Sequence, residues 1–285
     1  MIQEPTALLA DYARRWNLTL LPSFSNLSCH YVAPVICADG TPAVLKAVVP
    51  NSESHTEVAA LRCYNGRNCV RLLDADSENG VLLLERLLPG MTLTALADEV
   101  NDEKATSIAA SLMRGLWRPA PTEHNFPTVG DWGGGFQKLR QRFGGGCGPL
   151  PAALVDRAER LFAELLASSS EAVLLHGDLH HDNILSAQRQ PWLAIDPKGV
   201  IGEPAYEVGA LLRNLWQDRR AISDPARLTE RRVHQLAEEL NVDRARIRGW
   251  GIAQAVLSAW WCVEDDADCW QGAIAIAELL AAPEV

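Results

Sequence analysis

The chain changes character once, at Pro89-Gly90, and that change limits its fold more than any other feature. Before it, apolar runs of strand length alternate with turn signals. LSCHYVAPVI and PAVLKAVV flank ADGT, and an Asp-Gly pair between apolar runs marks a hairpin. NSESHTEVAALRCYNG opens on polar capping residues, carries Val58, Ala60 and Leu61, and closes on Gly66, which predicts a helix. NCVRLLDAD and GVLLLERL, joined by SENG, predict two more strands. Beyond Pro89-Gly90, ALADEV, EKATSIAASLMRGLW and PAALVDRAERLFAELLASS are helical in period and composition. So is the tail from Ala205 to Leu280, with breaks expected at Asp224-Pro225 and Gly249. GGGF and GGGCGP, near residues 133–149, read as flexible connectors. Leu174–Asp196 interrupts the helices with short apolar strands. The expectation is an α+β chain in two lobes. Residues 1–88 form a small antiparallel-sheet N-lobe with one main helix, and residues 89–285 a larger, mainly helical C-lobe.

A chain of 285 residues is longer than one hydrophobic core comfortably serves, which agrees with two lobes. Its 48% apolar and 22% charged residues are those of a globular protein. The net charge of -10 repels nucleic acid and anionic membranes and attracts cationic small molecules. No signal-peptide pattern opens the chain and no apolar run approaches the ~20 residues of a membrane span. A cytoplasmic protein, monomeric or weakly dimeric, without nucleic-acid or membrane partners, is expected. The seven cysteines are scattered and contain no C-x-x-C, so reduced, packed thiols are expected.

The chemistry concentrates in LLHGDLHHDNIL, Leu174 to Leu185. Asp178 and Asn183 have the spacing of the catalytic Asp and metal-binding Asn in the phosphoryl-transfer pattern H-R-D-x-x-x-x-N, with Gly177 in place of Arg. PWLAID then ends a short strand on Asp196, where a second metal-binding carboxylate belongs. Two oxygen ligands suit Mg²⁺, which takes its remaining ligands from water and phosphates. Upstream, AVLK sets Lys46 near the end of a strand and Glu57 in the following helix. In this template the lysine neutralises nucleotide phosphates and the glutamate orients the lysine. LLLERLLPG fits an interlobe linker whose backbone would bind adenine. A metal hydrolase built on His176, Asp178, His180 and His181 is the rival. It leaves Lys46, Glu57 and Asp196 without a role, and His30, His55, His124 and His234 form no recognisable ligand pair. No G-x-x-x-x-G-K-[ST] occurs, which argues against a P-loop enzyme.

DGTPAVLK, EVAALRCYNG, VRLL, LLLER, HGDLHHDNIL and IDPKGVIGEPAYEVGALLRN follow one another over roughly residues 27–217. In these motifs the chain resembles the aminoglycoside phosphotransferase superfamily and, more narrowly, the aminoglycoside/hydroxyurea antibiotic resistance kinase family. The resemblance implies a protein-kinase-like fold with ATP between the lobes, ATP and Mg²⁺ as cofactors, and phosphoryl transfer to a hydroxyl. It makes Asp178 the catalytic base, Asn183 and Asp196 the metal ligands, and Lys46 and Glu57 the nucleotide ion pair. It points to His180 as a γ-phosphate contact and to backbone groups at Glu85 and Leu87 for adenine. His176 reads as a structural histidine, and Glu203 and Glu207 as loop-orienting or helix-capping residues. There are two departures. SFSNLSCHYV, where the phosphate-covering loop belongs, has no glycine, so the amides of Ser25–Ser28 must serve. Pro197 follows Asp196 in place of D-F-G, which argues against an activation switch.

The implied acceptor is cationic, streptomycin or a related aminoglycoside. Guanidinium groups favour carboxylates and aromatic faces. Trp216 and Asp218 offer both, as do Trp261, Glu264, Asp265 and Asp266 in the tail. On a helix Trp261 and Asp265 share one face and Trp260 and Glu264 another. One face can line an acceptor site while the other packs in the core. The alternative is that the tryptophans are core and the acids solvated. A kinase of an unrelated metabolite and a nucleotide-binding pseudokinase are the other open readings of the whole chain.

Overall fold

The computed structural model describes residues 5–22, 24, 31–96, 100–169, 171–213 and 222–282. It divides into two compact units. The first is Met1–Met91 with Leu185–Lys198, and the second is Thr92–Ile184 with Gly199–Val285.

In the first unit, α1 (Pro5–Arg15), β1 (Thr19–Leu20), β2 (Tyr31–Ile36), β3 (Pro42–Ala47), α2 (Ser52–Tyr64), β4 (Leu72–Asp76) and β5 (Val81–Glu85) follow in chain order. The strands form one antiparallel sheet ordered β1-β2-β3-β5-β4. Period-two alternation sorts their side chains. Ala43, Leu45 and Ala47 of β3 join Val35, Val81 and Leu83 in a buried cluster under Leu9 and Tyr12 of α1. Lys46, between Leu45 and Ala47, therefore points to the opposite face. The helix α1 was not expected from the sequence, although Leu9, Tyr12, Ala13 and Trp16 have helical spacing. The helix α2 starts on a reciprocal capping box between Asn51 and Ser54 and stops at Asn65, whose φ of 48° is left-handed.

The chain continues through β6 (Pro89–Thr92), α3 (Asp102–Leu116), β7 (Arg118–Pro119), α4 (Val129–Arg142), α5 (Ala152–Ala167), β8 (Val173–Leu175), β9 (Ile184–Ala187), β10 (Trp192–Ala194) and β11 (Val200–Gly202). It ends with α6 (Val208–Arg213), α7 (Pro225–Leu240), α8 (Arg244–Glu264) and α9 (Trp270–Ala281). Two small sheets, β10-β9-β6 and β11-β8-β7, complete the order. The second unit is organised around α8, whose Ile252, Ala255, Val256, Ala259 and Trp260 are fully or almost fully buried. No helix among the described residues is long and apolar enough to cross a membrane.

Several expectations are corrected. The boundary expected after residue 88 falls close to Met91, but Leu185–Lys198, expected in the C-lobe, packs with the first unit. Ala194 hydrogen-bonds Asn68 and Val70 through its backbone, and Arg189 reaches the carbonyls of Gly66 and Cys69. GGGF is not a connector; it lies inside α4. A Cβ on Gly133 would stand 2.3 Å from Phe162, and one on Gly135 2.6 Å from Leu257, so these glycines let α5 and α8 approach closely. Gly249 is no break but sits within α8; the preceding helix ends at Asn241, φ 53°. Of ALADEV, Ala95 and Leu96 end a single 3₁₀ turn, Leu93–Leu96, and residues 97–99 lie outside the described residues. Cys262 and Cys269 form a disulfide between the end of α8 and the start of α9, whereas Cys37 and Cys147 are free thiols.

Candidate active site

The first unit assembles a lysine with two carboxylates. Lys46 Nζ lies 2.7 Å from Glu57 Oε1 and 3.1 Å from Asp196 Oδ1, and Lys46 is only 2% exposed. Burial alone would lower the lysine pKa. The charges of Asp196 and Glu57 outweigh it, so the pKa is raised and Lys46 remains a cation. Each partner comes from a different element: β3 turns Lys46 away from the α1 side, α2 carries Glu57, and Asp196 ends the segment after β10. A second pair, Lys198 with Glu53, ties that segment to the same helix. Asp196 has a φ of 56°, a left-handed conformation that is costly for a non-glycine residue preceding proline. The docking of Leu185–Lys198 holds it there.

Arg189, in the β9–β10 turn, grips Glu85 bidentately, at 3.0 Å from Nε to Oε1 and 2.8 Å from Nη2 to Oε2. This charge-assisted pair keeps the Glu85 carboxylate below its usual pKa even though burial opposes it. The Glu85 N–H donates to the Arg71 carbonyl at 2.9 Å. Of the expected adenine contacts, the Glu85 carbonyl and the Leu87 backbone are therefore the groups to consider.

The second unit builds the catalytic-loop candidate. The buried strand β8 delivers His176, Gly177 and Asp178. The fully buried carboxylate of Glu207 accepts the N–H groups of His176 at 2.7 Å and Gly177 at 2.9 Å. Burial pushes Glu207 up to about 7, against the pull of those two donors. His176 Nδ1 accepts the Asp178 N–H at 3.2 Å, a bond to backbone. Asn183 Nδ2 donates to the Asp178 carbonyl at 2.9 Å, and Thr94 donates to Asp182 at 2.6 Å. His180 Nδ1 accepts the Asp182 N–H, and its Nε2 lies 3.7 Å from Asp178 Oδ2. His181 is buried and its pKa is lowered to about 3, chiefly by burial, so its ring is neutral. The hydrolase alternative needs these histidines around one point. Among the described residues no three His, Cys, Asp or Glu side chains converge in that way.

The sequence reading missed Arg213. Its Nη2 donates to Asp178 Oδ1 at 2.6 Å and its Nη1 to Ser258 Oγ at 3.4 Å. The available signal was one charged residue closing the apolar run VGALLR. Ser258 also separates the two faces of α8. Trp261 and Asp265 continue its face, while Trp260, 1% exposed, packs on Gly135 of α4. Glu264, on the Trp260 face, pairs with Lys138 of α4 at 3.3 Å. Trp261 is half-buried and meets Trp132 edge-on at 5.7 Å, and Asp265 is exposed. Trp216, Asp218 and Ser25–Ser28 lie outside the described residues.

A lysine–carboxylate cluster at a β-sheet, and an Asp-x4-Asn loop in a helical unit, define a kinase-like phosphotransferase. The architecture agrees: the choline kinase LicA of Streptococcus pneumoniae superposes with a TM-score of 0.65 at 14% identity, over 97% of this chain and 98% of that one. The family model for aminoglycoside/hydroxyurea antibiotic resistance kinases matches residues 15–266. The streptomycin 6-kinase of Streptomyces glaucescens is 35% identical over 267 residues, covering 91% of this chain and 83% of the relative. The hydroxyurea phosphotransferase of Kitasatospora aureofaciens is 34% identical over 283 residues, covering 95% and 77%. The chain belongs to the aminoglycoside/hydroxyurea antibiotic resistance kinase family, and it is an ATP-dependent phosphotransferase that acts on a hydroxyl group.

Proposed function

We propose that this enzyme transfers the γ-phosphoryl group of ATP to a hydroxyl of streptomycin or a closely related aminoglycoside, and so inactivates it. The observation that carries the reading is the Asp178 carboxylate. Its loop is held from behind by Glu207, its side chain is fixed by Arg213, and the α8 face bearing Trp261 and Asp265 runs on from Ser258. Asp178 accepts the proton of the acceptor hydroxyl and aims that oxygen at phosphorus. Lys46, oriented by Glu57, neutralises the nucleotide phosphates, and His180 contacts the γ-phosphate. The Glu85 carbonyl and the Leu87 backbone bind adenine.

Asn183 and Asp196 would hold Mg²⁺. The donor set fits a hard cation, because the Asn183 amide nitrogen is engaged by the Asp178 carbonyl and its oxygen is the atom left for a metal. The bound ion would offset phosphate charge during transfer. Most of the rate enhancement then comes from positioning and charge compensation by these side chains. Trp261 and Asp265 take the planar guanidinium groups of the acceptor, one as an aromatic face and one as a carboxylate. The pairing of Glu264 with Lys138 favours Asp265 as the acceptor carboxylate.

The test is an acceptor panel with purified protein and MgATP, containing streptomycin, other aminoglycosides, hydroxyurea and choline, read as phosphorylated product. Streptomycin should be turned over at micromolar to millimolar concentration, and expression should protect a sensitive bacterial host. Transfer to hydroxyurea alone, or no transfer to any aminoglycoside at millimolar concentration, would overturn the acceptor assignment.

A further inference from the structure

We propose that Arg213 is a specificity-determining positioning residue. By occupying one oxygen of Asp178, it keeps a cationic acceptor from docking its own guanidinium or ammonium group on the base. The inference rests on Asp178 being the group that faces the acceptor hydroxyl.

Arg213 is the last residue of α6, whose Val208–Leu212 are buried, so the guanidinium is delivered from within the helical unit. Its contact with Asp178 Oδ1, 2.6 Å, is the short one; the bond to Ser258 is 3.4 Å. Its Nε is buried and has no hydrogen-bond partner among the described residues. The side chain is thus placed for the carboxylate and not for the fullest use of its own donors. The other oxygen, Oδ2, has His180 Nε2 at 3.7 Å, too far for a hydrogen bond.

A carboxylate in a protein of net charge -10 is a strong site for a guanidinium, which grips both oxygens at once. Streptomycin carries two guanidinium groups and an amine. Left alone with Asp178, it would bind best by placing a cation on the base, where the reacting hydroxyl has to be. That complex is a dead end. Arg213 blocks it in two ways: one oxygen is already taken, so the bidentate grip is lost, and a second cation meets like charge. A hydroxyl needs only one acceptor oxygen and is neutral, so it is still served. Arg213 thereby selects which group of the acceptor meets the base, and a neutral acceptor is indifferent to it.

The experiment is calorimetric titration of streptomycin, without ATP, into the wild-type protein, Arg213→Gln, Arg213→Lys and the double variant Arg213→Gln/Asp178→Asn. Arg213→Gln should bind streptomycin at least about ten-fold tighter, the scale of one additional charge-assisted hydrogen bond. Arg213→Lys should stay near wild type, and the double variant should lose the added affinity. In turnover, Arg213→Gln should show substrate inhibition by streptomycin, and its affinity for hydroxyurea should not change. A purely structural role predicts weaker binding, so equal or weaker binding in Arg213→Gln overturns the proposal, as does tighter binding that survives in the double variant. Arg213→Met carries the same expectations if the glutamine variant does not fold. Failure of the wild type to phosphorylate streptomycin would refute the acceptor assignment alone, because the binding comparison needs no turnover.

Discussion

At the scale of single residues, the proposed reaction rests on groups whose partners are visible. Asp178→Asn keeps the shape and the contact to Arg213 but removes the charge of the proposed base. The expected result is a fall in kcat of about two or more orders of magnitude, with ATP affinity little changed. Near-wild-type kcat would remove Asp178 from the base role. Glu207 gives a pH signature. Its folded pKa, about 7, is raised above the ordinary 4.5 by burial. A raised carboxyl pKa contributes stability that is present below pH 4.5 and is lost as pH rises through about 7. Denaturant midpoints measured from pH 4 to 8 should therefore fall more steeply for the wild type than for Glu207→Gln, which does not titrate. Parallel curves would show that the two backbone donors hold Glu207 ionised throughout. The placement of the motif residues was legible in part: Lys46, Glu57 and Asp196 come together as their spacing suggested, and Asn183 folds back on Asp178. Arg213 was not, because its partner Asp178 lies 35 residues away and only the fold brings them together.

At the scale of elements, the clearest question is which face of α8 meets the acceptor. Sequence spacing paired Trp261 with Asp265 and Trp260 with Glu264 but gave no reason to choose between them. Packing supports the proposed Trp261 face: Gly135 admits Trp260 against α4, and Lys138 takes Glu264, while the Trp261 face leads from Ser258. Asp265→Asn should raise the KM for streptomycin about three- to ten-fold, as loss of one partly exposed charged contact does, and leave the ATP KM unchanged. Glu264→Gln should leave both unchanged. Equal effects at the two positions, or an effect on ATP alone, would return α8 to a scaffold role. The same glycines explain the sequence misreading of α4. A run of three glycines looks like a hinge when only local propensity is counted. Here close contact with Phe162 and Leu257 outweighs propensity, and no single-sequence signal reports where another helix will pass.

At the scale of the whole molecule, the residues proposed for the reaction are divided between two units. Lys46, Glu57 and Asp196 belong to one, and Asp178, Asn183 and Arg213 to the other. The division was legible as a change of hydrophobic period. The return of Leu185–Lys198 to the first unit was not, because it depends on Arg189 finding Glu85 and on Ala194 finding Asn68 and Val70. Net charge acts at this scale too. The chain carries -10, so its field attracts a multiply charged cation and repels MgATP, which remains anionic. The two substrates should therefore respond to ionic strength with opposite signs. Raising salt from about 0.02 to 0.2 M shortens the Debye length from roughly 20 Å to below 10 Å. Over that range kcat/KM for streptomycin should fall several-fold, while kcat/KM for MgATP should hold or rise. Any neutral acceptor that the panel shows to be turned over, assayed at saturating MgATP, supplies the control and should show a flat profile. Potassium chloride and potassium acetate series should agree, which separates screening from specific ion binding. A flat streptomycin profile would mean that the field of the whole protein does not steer the acceptor and that recognition is confined to contacts at the site.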